Sequence, residues 1–282
     1  MRHEEFSLET FDKLTLFGQS WKSEASARAT LVFIHGSFEH SGRYRDTAAA
    51  FVQNGYNVYA FDLRGHGRSD GERASIHNFS DFVRDAHDVI LYASRQEQAK
   101  PLFVIAHSVG GVIAIMYALT YAPSYVSGFV LCSPALKLYA SVSPLAVAFA
   151  GIAAKLFPQL KVDPLNPRFL SRDPAVVSAF TSDPFCYRGG FPAAAAQKLL
   201  RSQQEITPLL SKLTYPLFIV HGTEDKLASI EGSRLLYQQA GSPDKSIRYY
   251  EGFYHELLNE PQKERVISDI LDWLSTRAKT IA

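Results

Sequence analysis

Pro101-Leu-Phe-Val-Ile-Ala-His107-Ser108-Val109-Gly110-Gly111, followed by Val112-Ile-Ala-Ile-Met-Tyr-Ala118, decides the fold. An apolar, strand-like run stops at a serine flanked by small residues, and a helical pattern begins at once. A strand that turns directly into a helix puts the serine at the apex. The turn forces its backbone towards unfavourable φ/ψ and demands small neighbours. It lifts the hydroxyl clear of the sheet and aims the amide of Val109 at the place where an oxyanion would form. A serine in a small-residue turn is often structural, but a strand before it and a helix after it favour a nucleophile. The rest of the chain must then supply an acid, a histidine and a second oxyanion donor.

Outward from this point the chain alternates. Phe6 to Thr10 and Leu14 to Trp21 read as an antiparallel hairpin. Thr30 to Ile34 is a buried strand ending at His35-Gly36, and Arg43 to Asn54 a helix closed by Gly55. Tyr56 to Phe61 is a strand. Phe79 to Glu97 carries Phe79, Phe82, Val83, Ala86, Val89, Ile90 and Ala93 at helical spacing. Gly128 to Cys132, Tyr215 to Val220 and Ser246 to Tyr250 are further strands. Ser229 to Ala240 and Glu264 to Arg277 are helices. Alternating buried strands and helices predict an α/β fold, a mostly parallel central sheet covered on both faces. Pro134 to Thr214 breaks the rhythm, with no clear strand. The expected division is a core of residues 1–134 and 214–282 with an inserted helical cap over 135–213.

Parallel sheets gather functional groups at the carboxyl ends of their strands. Ser108, His35-Gly36-Ser37, Asp225 and His255 all follow strands. Serine is a poor nucleophile at neutral pH and needs an adjacent base. His255 would take its proton and return it to the leaving group. Asp225 would fix the imidazole tautomer. The amides of Ser37 and Val109 would hold the oxyanion. Asp225 competes with Glu224 and Asp244, and is favoured because it sits just beyond its strand and precedes an apolar turn. His255 alone would pass for a surface histidine. His107 more often packs or hydrogen-bonds than reacts, and His221 reads as structural. His40, His66, His77 and His87 read as hydrogen-bonding loop or helix residues. Asp62-Leu-Arg-Gly65-His66-Gly67 lacks the lysine and spacing of a phosphate-binding P-loop and reads as a tight turn beside the site.

Composition narrows the class. The chain has 282 residues, 46% of them hydrophobic, enough for one sizeable domain with a substantial core. Lys+Arg 29 against Asp+Glu 28 gives no broad attraction to nucleic acid or anionic lipid. Cys132 and Cys186 make neither a disulfide framework nor a metal-ligand cluster, and read as free thiols in a reducing, cytoplasmic setting. Cys186 reads as a small buried residue that could border the pocket. The N-terminus lacks a secretory pattern, and no run is apolar and long enough to span a bilayer.

On these motifs the chain resembles the monoacylglycerol lipase and lysophospholipase group of the α/β-hydrolase superfamily, whose triads run in the order Ser, Asp, His. His35-Gly36-Ser37-Phe38-Glu39-His40-Ser41-Gly42-Arg43-Tyr44 resembles that group's oxyanion segment. Asp62 to Arg73 resembles its glycine-rich loop, and Leu170-Ser-Arg-Asp173 and Ser182-Asp183-Pro184 its cap motifs. Gly222-Thr-Glu-Asp225 and Tyr250-Glu-Gly252-Phe-Tyr-His255-Glu256 resemble its acid and base segments. The resemblance implies a carboxylic ester hydrolase that cleaves monoacylglycerol through an acyl-enzyme, with no cofactor and no metal. A general carboxylesterase or lysophospholipase is the alternative, and an inert lipid-binding protein a further one. It also implies a cap that touches membrane lipid. Leu145, Ala146, Val147, Phe149, Ile152, Leu156 and Phe157 would give that cap an apolar face, which could equally pack on the core. Phe38, Arg43, His107, Phe180 and Cys186 are the residues expected at the substrate. The chain departs from the group at Ala106, where glycine is usual, at Val109 for methionine, at Phe38 for glycine and at Phe180 for tyrosine. These departures bear on the substrate more than on the chemistry.

Overall fold

The computed structural model describes residues 1–97, 101–138, 160–162 and 165–278. The apolar cap face expected from Leu145 to Phe157 lies outside the described residues. In chain order the first elements are β1 (Arg2–Glu9), β2 (Thr15–Lys22), β3 (Ala29–Ile34), α1 (Arg45–Gln53), β4 (Tyr56–Phe61), α2 (Phe79–Gln96), β5 (Leu102–His107), α3 (Val109–Tyr121) and β6 (Val126–Cys132). There follow β7 (Lys161–Val162), α4 (Pro174–Ser182), β8 (Phe191–Pro192), α5 (Ala193–Ile206), β9 (Leu217–Gly222), α6 (Ile230–Gln239), β10 (Lys245–Tyr250) and α7 (Lys263–Arg277). The helix expected from Arg43 starts two residues later, because Ser41–Tyr44 is a tighter 3-10 turn capped by the side chain of His40.

The main sheet has the order β1-β2-β4-β3-β5-β6-β9-β10. Only β2 pairs antiparallel to both its neighbours, and the other ladders are parallel. Strand side chains alternate between the faces. Val32, Ile34, Val104 and Ala106 join the core under α2 and α3, while Leu31, Phe33, Phe103 and Ile105 join the core under α1 and α7. A strand buried on both faces must be apolar throughout, which is why β3 and β5 read as unbroken runs.

The parallel strands end along one edge, and His35, Ser108, Ser133, Thr223 and Glu251 leave it together. Close packing there is enforced by missing side chains. A β-carbon on Gly110 would lie 2.4 Å from the carbonyl oxygen of Ile34 and 2.5 Å from that of His35. One on Gly222 would lie 2.3 Å from the carbonyl oxygen of Phe253.

The segment between β6 and β9 adds nothing to the main sheet among the described residues. It holds α4, α5 and one unexpected feature, the two-residue antiparallel pair β7–β8. Helix α5 packs on α2 and α3, and Gln203 donates to the carbonyl of Ala135. A small cluster of Phe38, Ala74, Leu170, Phe180 and Cys186 joins this segment to the strand edge.

Gly110→Ala is expected to lower stability by about 1–3 kcal/mol, the usual cost of overpacking. In a chain of this size that is a fall of several degrees in Tm, measurable by thermal unfolding.

Candidate active site

Ser108 has φ 53° and ψ −119°, the strained backbone that the sequence implied. Its amide donates to Cys132 O at 3.0 Å, and its carbonyl accepts from Gly111 and Ala135, each at 3.0 Å. These bonds hold a conformation that costs of order 1–3 kcal/mol. Val109 opens α3, so its amide belongs to the unpaired N-terminal turn of that helix.

Ser37, Phe38, His107, Ser108, Val109 and His255 line one cavity of about 250 Å³. Leu138, Leu165, Leu170, Phe191, Leu199 and Leu227 make the rest of it mainly apolar, and Lys226 is a cation in the lining. Gly36 permits the meeting of the two turns, since a β-carbon there would lie 3.0 Å from the β-carbon of Ser108 and 3.0 Å from Nδ1 of His107.

His255 Nδ1 donates to Asp225 Oδ2 at 2.7 Å. The other ring nitrogen is thereby left as the proton acceptor. Asp225 Oδ1 accepts from the amides of Leu227 at 2.8 Å and Ala228 at 2.9 Å. Burial works to raise the Asp225 carboxyl, but His255 and His221 beside it hold it far below the usual carboxylate range. No hydrogen bond joins Ser108 Oγ to His255 among the described residues. Such contacts are often loose without substrate and tighten on binding.

Beneath this pair lies a charged cluster. Glu39 Oε1 accepts from Gly36 N at 2.7 Å, His107 Nδ1 at 2.9 Å and Tyr44 OH at 3.1 Å. Arg43 donates to Glu39 Oε2 at 3.1 Å and grips both oxygens of Glu256 at 2.6 and 2.7 Å. Burial would raise the Glu39 carboxyl, but His107 and Arg43 hold it far below its ordinary range. Burial opposes charge on His107, and the Glu39 carboxylate outweighs it and raises the imidazole. The ring of His107 lies 4.7 Å from that of His255.

Three residues expected at the substrate stand behind the lining instead. Arg43 is turned inward by Glu39 and Glu256. Phe180 packs its ring 5.2 Å from the Arg43 guanidinium. Cys186 is buried in the cluster around Phe38, its thiol pushed up to about 12 by burial. Glu39, Glu256 and Lys226 were not singled out as functional from the sequence. The spacing of Glu39 and Arg43, four residues apart on one turn, is the signal that would have found the cluster.

The profile of the family described as serine aminopeptidase, S33 matches residues 25–262. This chain belongs to that family of α/β-hydrolases. It is 39% identical to a monoacylglycerol lipase of Mycolicibacterium smegmatis over 90% of both chains. It is 34% identical to the human monoglyceride lipase, covering 94% of this chain and 88% of the relative. The crystal structure of Paleococcus ferrophilus monoacylglycerol lipase superposes with a TM-score of 0.81 at 29% identity, covering 93% of this chain and 99% of the other. No helix among the described residues of this family member is long and apolar enough to cross a membrane.

Arg43→Met would leave two buried carboxylates without their cation, and is expected to cost about 3–5 kcal/mol in denaturant unfolding. Acid should unfold the protein in two stages. His66 is pushed down from 6.5 to about 4 by burial. A histidine so depressed contributes stability above pH 6.5 that is lost as pH falls to about 4, of order 3 kcal/mol. His35, lowered by burial, adds to this loss, and His107, raised, offsets part of it. Glu39 and Asp225, both depressed, contribute stability above the ordinary carboxylate range that is lost only at lower pH. Urea midpoints measured from pH 7 to 3 check the order, and His66→Asn should remove much of the upper stage.

Proposed function

We propose that this chain hydrolyses monoacylglycerols to fatty acid and glycerol. The observation that carries the reading is a mainly apolar cavity lined by a strained serine, an oxyanion turn and a histidine bonded to a buried aspartate behind it, in a chain whose similar relatives include monoacylglycerol lipases.

Ser108 Oγ attacks the ester carbonyl while His255 Nε2 takes its proton. Asp225 holds the imidazolium so formed. The amides of Ser37 and Val109 take the oxyanion, and each such donor is worth about 10²–10³ in rate. Collapse expels glycerol, which leaves with the proton from His255. Water then attacks the acyl-enzyme, again with His255 as base, and releases fatty acid. The apolar lining from Leu138, Leu165, Phe191 and Leu199 suits an acyl chain.

Residues 135–213 act as a cap that collects lipid from a membrane or micelle surface. The apolar sequence from Ser143 to Leu160 and the lipase relatives support this role.

The family's name raises a peptidase, which would need a carboxylate free to hold a peptide amine. The two carboxylates of the cavity, Glu39 and Glu256, are both bound to Arg43. That pairing favours the neutral ester.

Ser108→Ala should cut monoacylglycerol hydrolysis by roughly 10³-fold or more and abolish fluorophosphonate labelling. In a panel of head groups and chain lengths, turnover should be greatest on monoacylglycerols. Faster turnover of short p-nitrophenyl esters than of any monoacylglycerol would sink the substrate assignment.

A further inference from the structure

His221 lies at the end of β9, four residues before Asp225, and is fully buried. Its Nε2 lies 3.2 Å from Ala228 O and 3.2 Å from Asp225 Oδ2. A carbonyl and an ionised carboxylate can only accept, so Nε2 carries the hydrogen. Nδ1 lies 2.7 Å from the Ser233 hydroxyl on α6, and accepts from it. The Nε2 side thus places the hydrogen, and the Ser233 hydroxyl is free to turn its own hydrogen towards Nδ1. The ring N–H points at Ala228 O, and the carboxylate approaches that same hydrogen from the side.

Asp225 therefore meets four N–H groups. Leu227 and Ala228 amides serve Oδ1, while His255 and His221 lie against Oδ2. A carboxylate has about four acceptor directions, so the set is full. Two histidines share one oxygen, one from the cavity side and one from behind.

We propose that His221 is a positioning residue for Asp225, holding its Oδ2 towards His255 and drawing off part of its charge. The inference rests on the catalytic roles assigned above. Its physical content is a competition. Whatever the N–H of His221 takes from Oδ2 is not available to the imidazolium of His255. Without that N–H the carboxylate faces His255 alone, stabilises the protonated ring more strongly and is less firmly aimed.

The other charged or titratable groups about His255 are few. His107 lies beneath it with Glu39 bonded behind, Glu256 follows it in sequence and is held by Arg43, and Lys226 lines the same cavity. Of this set and Asp225, His221 has its recorded contact with Asp225. A change at His221 therefore reads out through the carboxylate.

The test is the pH profile of kcat/KM on monoacylglycerol in wild type, His221→Leu, His221→Met and His221→Gln. Leucine and methionine remove the donor, and methionine adapts its shape if leucine does not fold. Both should lower kcat about 10-fold and move the acid limb up by roughly 0.5 pH unit, the size of a neutral hydrogen bond. Glutamine offers an N–H to Oδ2 and an oxygen to Ser233, and should restore both quantities. A merely structural histidine would lower activity and Tm with the acid limb unmoved; that outcome in the donor-free variants overturns the proposal, as does a glutamine variant that behaves like leucine. Asp225→Asn, measured alongside, separates the two claims. Full activity there overturns the triad assignment itself. Loss of activity there with an unmoved limb at His221 overturns only the role of His221.

Discussion

One buried cation organises the candidate site. Arg43 sits between Glu39 and Glu256, its fork closed on both oxygens of Glu256 and one nitrogen reaching Glu39. Buried ion clusters seldom add net stability over a well-packed apolar core, because desolvation consumes most of the attraction. What this cluster supplies is register. Arg43 and Glu39 belong to the turn after β3, and Glu256 follows His255 after β10. The ring of Phe180, on α4, covers the guanidinium. Glu39 also accepts from Gly36 beside Ser37 and from His107 beside Ser108. Four segments remote in sequence are thereby fixed about one guanidinium. A bidentate fork fixes angle as well as distance, which a lysine at this position would not do.

That fixation bears directly on strain. Ser108 and Phe38 both have positive φ, 53° and 69°. For a bulky aromatic this is a true outlier, and glycine would adopt it freely. Phe38 keeps its conformation because it is held at both ends. Its carbonyl accepts from Tyr187 N at 2.9 Å, and its ring packs at 5.5 Å from Tyr187 and 5.0 Å from Phe191. The residue next to the oxyanion turn is thus also the contact between that turn and the segment inserted after β6. A glycine would relieve the backbone and release that contact. The departure noted in the sequence has a physical consequence here, a closer tie between the oxyanion turn and the inserted segment.

The centre of the sheet was legible because its strands are buried on both faces, so burial alone writes an unbroken apolar run at β3, β5 and β9. The loops of Ser108 and Asp225 were legible because each follows such a run, and that of His255 because it follows β10, although β10 is a half-exposed, polar strand. The charged cluster was legible only in part. The i,i+4 spacing of Glu39 and Arg43 hints at their pairing, but nothing local brings Glu256 to them. Arg43, Phe180 and Cys186 were placed one layer too near the substrate for the same reason. Sequence gives the loop a residue belongs to, while the direction of its side chain is set by a partner elsewhere. The helix from Arg43 was read two residues long because the cap supplied by His40 is a side-chain hydrogen bond, which leaves the composition of the turn unchanged. The pair β7–β8 was missed because two residues are too few for any period to show.

The charges around Ser108 and His255 are paired with one another as well. With Glu39 and Glu256 ionised and Arg43 cationic, the floor of the cavity carries one negative charge in excess. Burial opposes charge on His107, and the Glu39 carboxylate raises its imidazole against that. His35 and His66, on the other side of the oxyanion turn, are driven the opposite way, lowered by burial and kept neutral. The resulting arrangement has an ion-paired floor on one side and neutral histidines on the other. In the proposed reaction, a transition state that develops negative charge at the oxyanion and positive charge at His255 would meet Lys226 and the paired charges of the floor. The fields that act on it come from groups aimed at it: the helix N-terminus at Val109, the turn at Ser37 and the carboxylate of Asp225. Preorganised dipoles act more strongly in a mainly apolar cavity than in bulk water. Pairing the charges of the floor through Arg43 therefore belongs to the proposed chemistry beside the three residues that would carry it out.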